Sequence, residues 1–227
     1  MGKKSPFVVI CPGGGYEMVA AGIEGDPYAK KLNALGYSAF VLYYHTKAGA
    51  QAPQPMDDLA RAIRYILDNA EELNVDRQQF SVWGPSAGGH LAASFGTKAL
   101  GYEHYKFPKP SVLVLAYPVI SMQDSLGHQG SRERLLGKEA DHALKLAYSI
   151  ESQVDSGYPP TFVWNCVTDE VVPPENCHAL FEVLCKKSIP CKFCQYSEGY
   201  HGSGFSRGEL AESWFDDAVS FMNKYMA

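Results

Sequence analysis

The stretch QFSVWGPSAGGHLA, residues 79–92, decides how the chain is read. Residues 79–83 end in the apolar pair Val82-Trp83, as a short buried strand does. Residues 87–99, rich in Ala, read as a helix. Between them Gly84-Pro85-Ser86-Ala87-Gly88 matches G-x-S-x-G. A sharp strand-to-helix turn lifts a serine oxygen clear of the sheet, and small residues at 84 and 88 let the backbone pack closely there. The helix N-terminus behind Ser86 favours negative charge developing nearby. Alone, the pentapeptide is a loose pattern; its place between strand and helix makes Ser86 the candidate nucleophile.

Outward from this turn, strands and helices alternate. Apolar runs at 7–11, 38–44, 112–117, 161–167 and 191–196 are short and rich in Val, Phe, Tyr and Leu, as buried strands are. Asp26 before Pro27 reads as an N-cap and first helical position, with Gly36 as the stop. Residues 56–73 place Leu59, Ile63, Ile66 and Leu67 on one face, and Asp57 and Asp58 read as charges favoured by the helix dipole. Further helices are expected at 174–187 and 209–225. This alternation implies an α/β fold: a mostly parallel sheet of about six main strands with helices on both faces. Residues 118–160, with helical character near 131–149, interrupt the alternation. So long a connection is usually functional, and the expectation is a small cap inserted into a single domain spanning 1–227.

A serine nucleophile needs a base, an acid to orient that base, and donors for an oxyanion. Of the seven histidines, His201 lies after the last strand in a glycine-rich loop, Gly199-Tyr200-His201-Gly202. Asp169 follows the penultimate strand, and the order Ser86, Asp169, His201 is that of one class of serine hydrolase. Glu170 next door competes, since spacing does not separate neighbouring acids; the shorter Asp at the strand end is preferred. Gly13-Gly14-Gly15 after the first strand would let backbone N–H groups approach a carbonyl oxygen. It fits neither the phosphate-binding P-loop nor the dinucleotide fingerprint. His90 reads as a packing residue behind the nucleophile. His104, His128, His142 and His178 read as surface or cap residues.

Composition bounds the rest. A chain of 227 residues with 46% apolar and 20% charged residues is globular, and a net charge of −5 argues against nucleic acid. No run approaches the ~18 apolar residues of a membrane span. The start, MGKKSPFVVICPGGG, reads as a buried strand rather than a leader. Six cysteines form no disulfide-dense framework in a chain this long. Cys191 and Cys194 have CxxC spacing but lack a second ligand pair, so they read as free buried thiols in a cytoplasmic protein, with no metal expected.

Together, PGGGY at 12–16, EGDPYAKKLNALGY at 24–37, SVWGPSAGGHLA at 81–92, YPVIS at 117–121, PPTFVWNCVTDEVVP at 159–173 and GYHGSG at 199–204 give a resemblance over nearly the whole chain. The chain resembles the carbohydrate-esterase and acetyl-xylan-esterase-like branch of the α/β-hydrolases, near the hormone-sensitive-lipase group. The resemblance implies the α/β-hydrolase fold, with Ser86 as nucleophile, Asp169 as acid and His201 as base. It implies oxyanion donors on the backbone of Gly14, Gly15 and Ala87. Two departures stand out. His45 occupies a place where members usually carry Arg, which puts any ion pair of that Arg in doubt. The glycine loop also begins at residue 12, without the family's additional N-terminal strands, leaving 38–44 as an apolar edge through which a homodimer is an expectation.

The expected activity is that of a serine esterase acting through an acyl-enzyme on Ser86, without cofactor. Its small-molecule substrates would be short-chain esters, acetyl esters above all, with sugars or xylo-oligosaccharides as the alcohol part. The same scaffold would serve an arylformamidase or peptidase, and a binding module is the reading from another class. Tyr16, Tyr200 and His45 are the candidate substrate-binding residues: the tyrosines flank the catalytic loops and would stack on a sugar or serve as core aromatics.

Overall fold

The computed structural model describes residues 4–226; residues 1–3 and 227, the ends of the span read as one domain, lie outside the described residues. In chain order the main elements are β1 (Ser5–Ile10), α1 (Ala21–Glu24), α2 (Asp26–Ala34), β2 (Ser38–Val41) and α3 (Gln54–Asp68). There follow β3 (Val75–Pro85), α4 (Ser86–Phe95), β4 (Val112–Ala116), α5 (Gln129–Leu136), α6 (His142–Ala147), β5 (Thr161–Cys166), α7 (Glu175–Lys186), β6 (Cys191–Tyr196) and α8 (Trp214–Met222).

The six strands form one sheet in the order β2-β1-β3-β4-β5-β6, every neighbouring pair parallel. All six expected strands are present. The chain moves from β1 outward to β2 and then crosses to the other side of β1 to lay down β3. The carboxyl ends of β1 and β3 therefore flank a topological switch point, where open α/β sheets bind ligands.

Alternation along the strands divides the interior in two. Phe7, Val9, Phe80 and Val82 face a core shared with Leu59, Ile63 and Ile66 of α3, Leu91 of α4, and Leu180 and Leu184 of α7. Val8, Ile10 and Trp83 face a second core with Tyr28 and Leu32 of α2 and Trp214 and Phe215 of α8. That side is built on large rings: Trp164 stacks on Trp214 at 5.2 Å, and Tyr28 meets Trp214 edge-on at 5.5 Å.

Several boundaries differ from expectation, for local reasons. α2 starts at Asp26 itself, with Gly25 before it. α3 stops at Asp68, and β2 is only Ser38–Val41. The region 209–225 is split: a 3-10 turn at Leu210–Ser213 precedes α8. Asp57 and Asp58 are more than dipole charges. Asp57 accepts from the Tyr105 hydroxyl at 2.6 Å, and buried Asp58 accepts from His45 N at 2.8 Å and from Arg61. The Asp58 carboxylate also meets His45 Nδ1 at 2.7 Å.

α4 is buried on every side, which its small residues permit. A Cβ on Gly88 would lie 1.9 Å from the Cys11 carbonyl oxygen, and one on Gly84 would lie 2.1 Å from the Gly88 oxygen. Gly88→Ala should therefore cost about 1–3 kcal/mol or more by overpacking, lowering the melting midpoint by roughly 3–10 °C. Gly22→Ala, where nothing lies within 4 Å, should melt near wild type. Equal midpoints for the two variants by differential scanning fluorimetry would remove the close-approach account of Gly88.

Candidate active site

The turn from β3 to α4 holds Ser86 at φ 53°, in the left-handed region that L-residues with a side chain avoid. The conformation is held from both sides: β3 is anchored in the middle of the sheet, and the Ser86 carbonyl accepts from Val119 N at 3.0 Å. As a result the Ser86 hydroxyl stands at the head of α4, where the first N–H groups of a helix have no intrahelical partner. Ala87 N–H is one of these.

His201 reaches Ser86 from the loop after β6. Its Nε2 lies 2.7 Å from Ser86 Oγ, and its Nδ1 lies 2.7 Å from Asp169 Oδ2. The other Asp169 oxygen accepts from Val171 N and Val172 N, both at 2.9 Å. An acceptor-only carboxylate at Nδ1 makes that nitrogen the donor, so Nε2 is free to accept the serine proton. Glu170 is exposed, whereas Asp169 is buried beside the histidine; the turn after β5 separates the two neighbours. The two loops are laced together, since Thr168 Oγ1 donates to Gly199 O at 2.7 Å and accepts from Gly199 N at 3.1 Å. The Tyr117 ring packs edge-on against His201 at 4.9 Å.

The glycine loop completes the floor. Gly14 and Gly15, at φ 122° and 63°, border a cleft of about 570 Å³ with Ser86 and His201. Gly13 is different: its N–H donates to Glu24 Oε2 at 2.8 Å, so it is engaged in holding the loop. Glu24 also accepts from the Tyr117 hydroxyl at 2.8 Å, and burial raises its pKa above the usual carboxylate range. On the far side, the Tyr16 hydroxyl donates to His90 Nδ1 at 2.9 Å, and His90 Nε2 donates to the Tyr148 carbonyl at 2.8 Å. Burial pushes the pKa of His90 down to about 4, consistent with a neutral ring that accepts on one nitrogen and donates on the other.

The structure thus brings together Ser86, Asp169 and His201, with Gly14, Gly15 and Ala87 beside them. It does not bring the three candidate substrate-binding side chains to this cleft. Tyr16 is fully buried and borders a separate cavity of about 260 Å³ with His90 and Tyr148. Tyr200 is exposed next to Glu198 and Gly208, beyond the cleft wall. His45 is held at Asp58. Residues the sequence reading missed are Glu24, Tyr117, His128 and Arg134. Glu24 and Tyr117 lie inside quoted motifs, but nothing in linear spacing joins the last residue of α1 to the residue after β4. His128 and Arg134 come from the 118–160 segment, where no periodicity indicates which side chains turn inward.

Among the described residues no group of three or more His, Cys, Asp or Glu side chains is arranged to hold a metal ion. Cys191 and Cys194 are an odd number of positions apart on β6, so they point to opposite faces. Cys191 instead approaches Cys185, with the sulfurs 4.0 Å apart. The thiols are free but not all buried, Cys185 being exposed.

A family model, BD-FAE, matches residues 1–184. The chain belongs to the BD-FAE family. Endo-1,4-beta-xylanase B of Butyrivibrio fibrisolvens is 32% identical over 223 residues, 93% of this chain and 34% of that protein. The acetylxylan esterase of Xylanibacter ruminicola is 32% identical over 212 residues, 92% of this chain and 42% of the relative. The chain therefore spans well under half the length of these two curated relatives. Among solved structures, the acetyl ester-xyloside bifunctional hydrolase of Caldicellulosiruptor lactoaceticus superimposes with a TM-score of 0.90 at 33% identity, over 99% of this chain and 84% of that one. This BD-FAE member has the α/β-hydrolase fold that the resemblance implied.

The buried His90 makes stability depend on pH. The unfolded ring takes a proton near 6.5 and the folded ring only near 4, so the unfolded state binds more protons between those values. This contribution is fully present above pH 6.5 and is lost as pH falls toward 4, at most roughly 3 kcal/mol. His90→Gln keeps one acceptor and one donor without titrating. The urea-midpoint advantage of wild type over this variant should be largest at pH 7.5 and shrink by pH 4.5. A gap independent of pH would mean that His90 is not held neutral.

Proposed function

We propose that this protein is a serine esterase that hydrolyses short-chain carboxylic esters, acetyl esters above all, on sugars or short xylo-oligosaccharides. The observation that carries the reading is His201 set between Ser86 Oγ and Asp169 Oδ2 by two contacts of 2.7 Å, on the rim of a glycine-lined cleft.

The chemistry follows from these positions. His201 Nε2 takes the Ser86 proton as Oγ attacks the ester carbonyl, and Asp169 steadies the imidazolium that forms. The oxyanion settles against the N–H groups of Gly14, Gly15 and Ala87. His201 then passes the proton to the departing alcohol, and water repeats the sequence to free the acid and regenerate Ser86. The apolar part of the cleft, Ala20, Ile23 and Val171, is short, and long acyl chains gain only ~0.8 kcal/mol per methylene that finds cover. The names of the similar acetylxylan esterase and acetyl ester-xyloside hydrolase favour an acetylated saccharide.

The free thiols, three of them buried, favour a cytoplasmic site of action, and among the described residues no helix is long and apolar enough to cross a membrane. β2 is a sheet edge, where homodimerisation would occur; light scattering after size exclusion tests that.

A fluorophosphonate should add once to the wild-type chain and not to Ser86→Ala, read by intact mass. Asp169→Asn should lower kcat by about 10³–10⁴-fold, and Glu170→Gln far less. Rates on p-nitrophenyl acetate should exceed those on the octanoate, and acetate should be released from acetylated xylo-oligosaccharides. A larger loss in Glu170→Gln would reverse the choice of acid. Faster octanoate cleavage would remove the short-chain claim.

A further inference from the structure

His128 occupies the residue before α5, and its ring caps that helix. Ser131 N donates to His128 Nδ1 at 3.2 Å, and the Ser131 hydroxyl lies 2.9 Å from the same nitrogen. A backbone N–H can only donate, so Nδ1 must be an unprotonated acceptor. The ring is then neutral and its single proton sits on Nε2. Burial, and behind it the positive charge His201 can carry, lower the pKa of His128 and hold the ring in this state. No hydrogen bond among the described residues engages Nε2, and the ring borders the same cleft as Ser86 and His201. The cap thus fixes a tautomer and presents one neutral N–H donor to the site.

Arg134, six residues further along α5, stands beside it. A methyl group on Gly130 would lie 2.8 Å from Arg134 Nη1 and 3.8 Å from His128 Nε2, which places both donors around one spot on the cleft wall. Arg134 is ion-paired with Glu17 through Nε, so its charge is matched, and its Nη1 donates one hydrogen to the Gly15 carbonyl at 3.4 Å, with further N–H groups of the guanidinium left over. The wall offers donors with little net charge, which suits hydroxyl or ether oxygens better than a carboxylate. Ala20, Ile23 and Val171 supply the apolar part of the same cleft. An acetyl group carries no oxygen beyond the ester itself. If the substrate is an acetyl ester, as proposed above, the acceptor facing these donors belongs to the alcohol half.

We propose that His128, with Arg134 beside it, is a specificity-determining residue that recognises a hydroxyl or ring oxygen on the sugar half of an acetylated neutral saccharide. In this way the 118–160 segment selects the leaving group, while the triad and glycine loop act on the acetyl ester.

Asn is a leading N-cap residue, so His128→Asn keeps the start of α5 while its short amide withdraws the donor from the cleft. The measurement is the ratio of kcat/KM on an acetylated methyl xyloside to kcat/KM on phenyl acetate, whose alcohol half offers only the ester oxygen. In His128→Asn the ratio should fall about tenfold, mostly through KM on the xyloside, as loss of one binding hydrogen bond does. Arg134→Gln should lower the same ratio. Parallel losses on both substrates, or a ratio equal to wild type, would overturn the role of His128 and leave the esterase reading standing. Wild-type protein that cleaves phenyl acetate but no acetylated saccharide would overturn the sugar reading and this inference with it.

Discussion

The end of β1 and the start of α4 meet with almost no space between them: the Cys11 carbonyl oxygen sits where a Cβ of residue 88 would be, 1.9 Å away. Only glycine lets the helix come that close, and the rest of the site depends on the closeness. It sets the glycine loop that leaves β1 against the serine that leaves β3, so that backbone donors and hydroxyl share one cleft. The crossing of the chain from β2 back over β1 puts both strand ends at the same place on the sheet. A Cβ at residue 88 would force the end of β1 and the start of α4 apart.

Holding the site in shape has costs that its surroundings offset. Ser86, at φ 53°, and Tyr117, at φ 38°, each sit in a conformation that costs on the order of 1–3 kcal/mol. Glu24 is a buried carboxylate, expensive unless its oxygens are paired, and each of them accepts a hydrogen bond, from Gly13 N and the Tyr117 hydroxyl. That pairing ties the glycine loop to the end of β4. Tyr117 in turn accepts from Gly204 N in the histidine loop at 3.3 Å, and Trp214 Nε1 donates to Gly204 O at 3.0 Å. Three loops from three strands are joined through one carboxylate and one phenol. Reacting groups held this way need little rearrangement when charge develops, which is where electrostatic catalysis gains most.

The two sides of the cleft have different origins. The triad and glycine loop grow from strand ends of the sheet, whose positions are set by the two hydrophobic cores. The donor wall comes from the segment between β4 and β5, where α5 carries His128 at its cap and Arg134 within it. A segment of this kind can change its side chains without disturbing the sheet, so chemistry and leaving-group choice rest on separate parts of the chain.

Local order and spacing in the sequence determined the α/β class, the six strands, the strand-to-helix turn at Ser86 and the candidate pair Asp169 and His201. These are properties of short windows: alternation of apolar residues, glycines around a serine, one histidine in a glycine loop. Tertiary structure alone decided that Asp169 rather than Glu170 faces the histidine, because the turn after β5 buries one carboxylate and exposes its neighbour. It alone turned Tyr16 inward onto His90, left Tyr200 outside the cleft and bound His45 to Asp58, although both tyrosines stand beside the candidate catalytic loops in the sequence. It alone joined Glu24 to Tyr117 across 93 positions and brought His128 to the cleft that Ser86 lines. The physical reason is the same throughout: a side chain's direction beyond a regular element is set by what the rest of the fold packs against it.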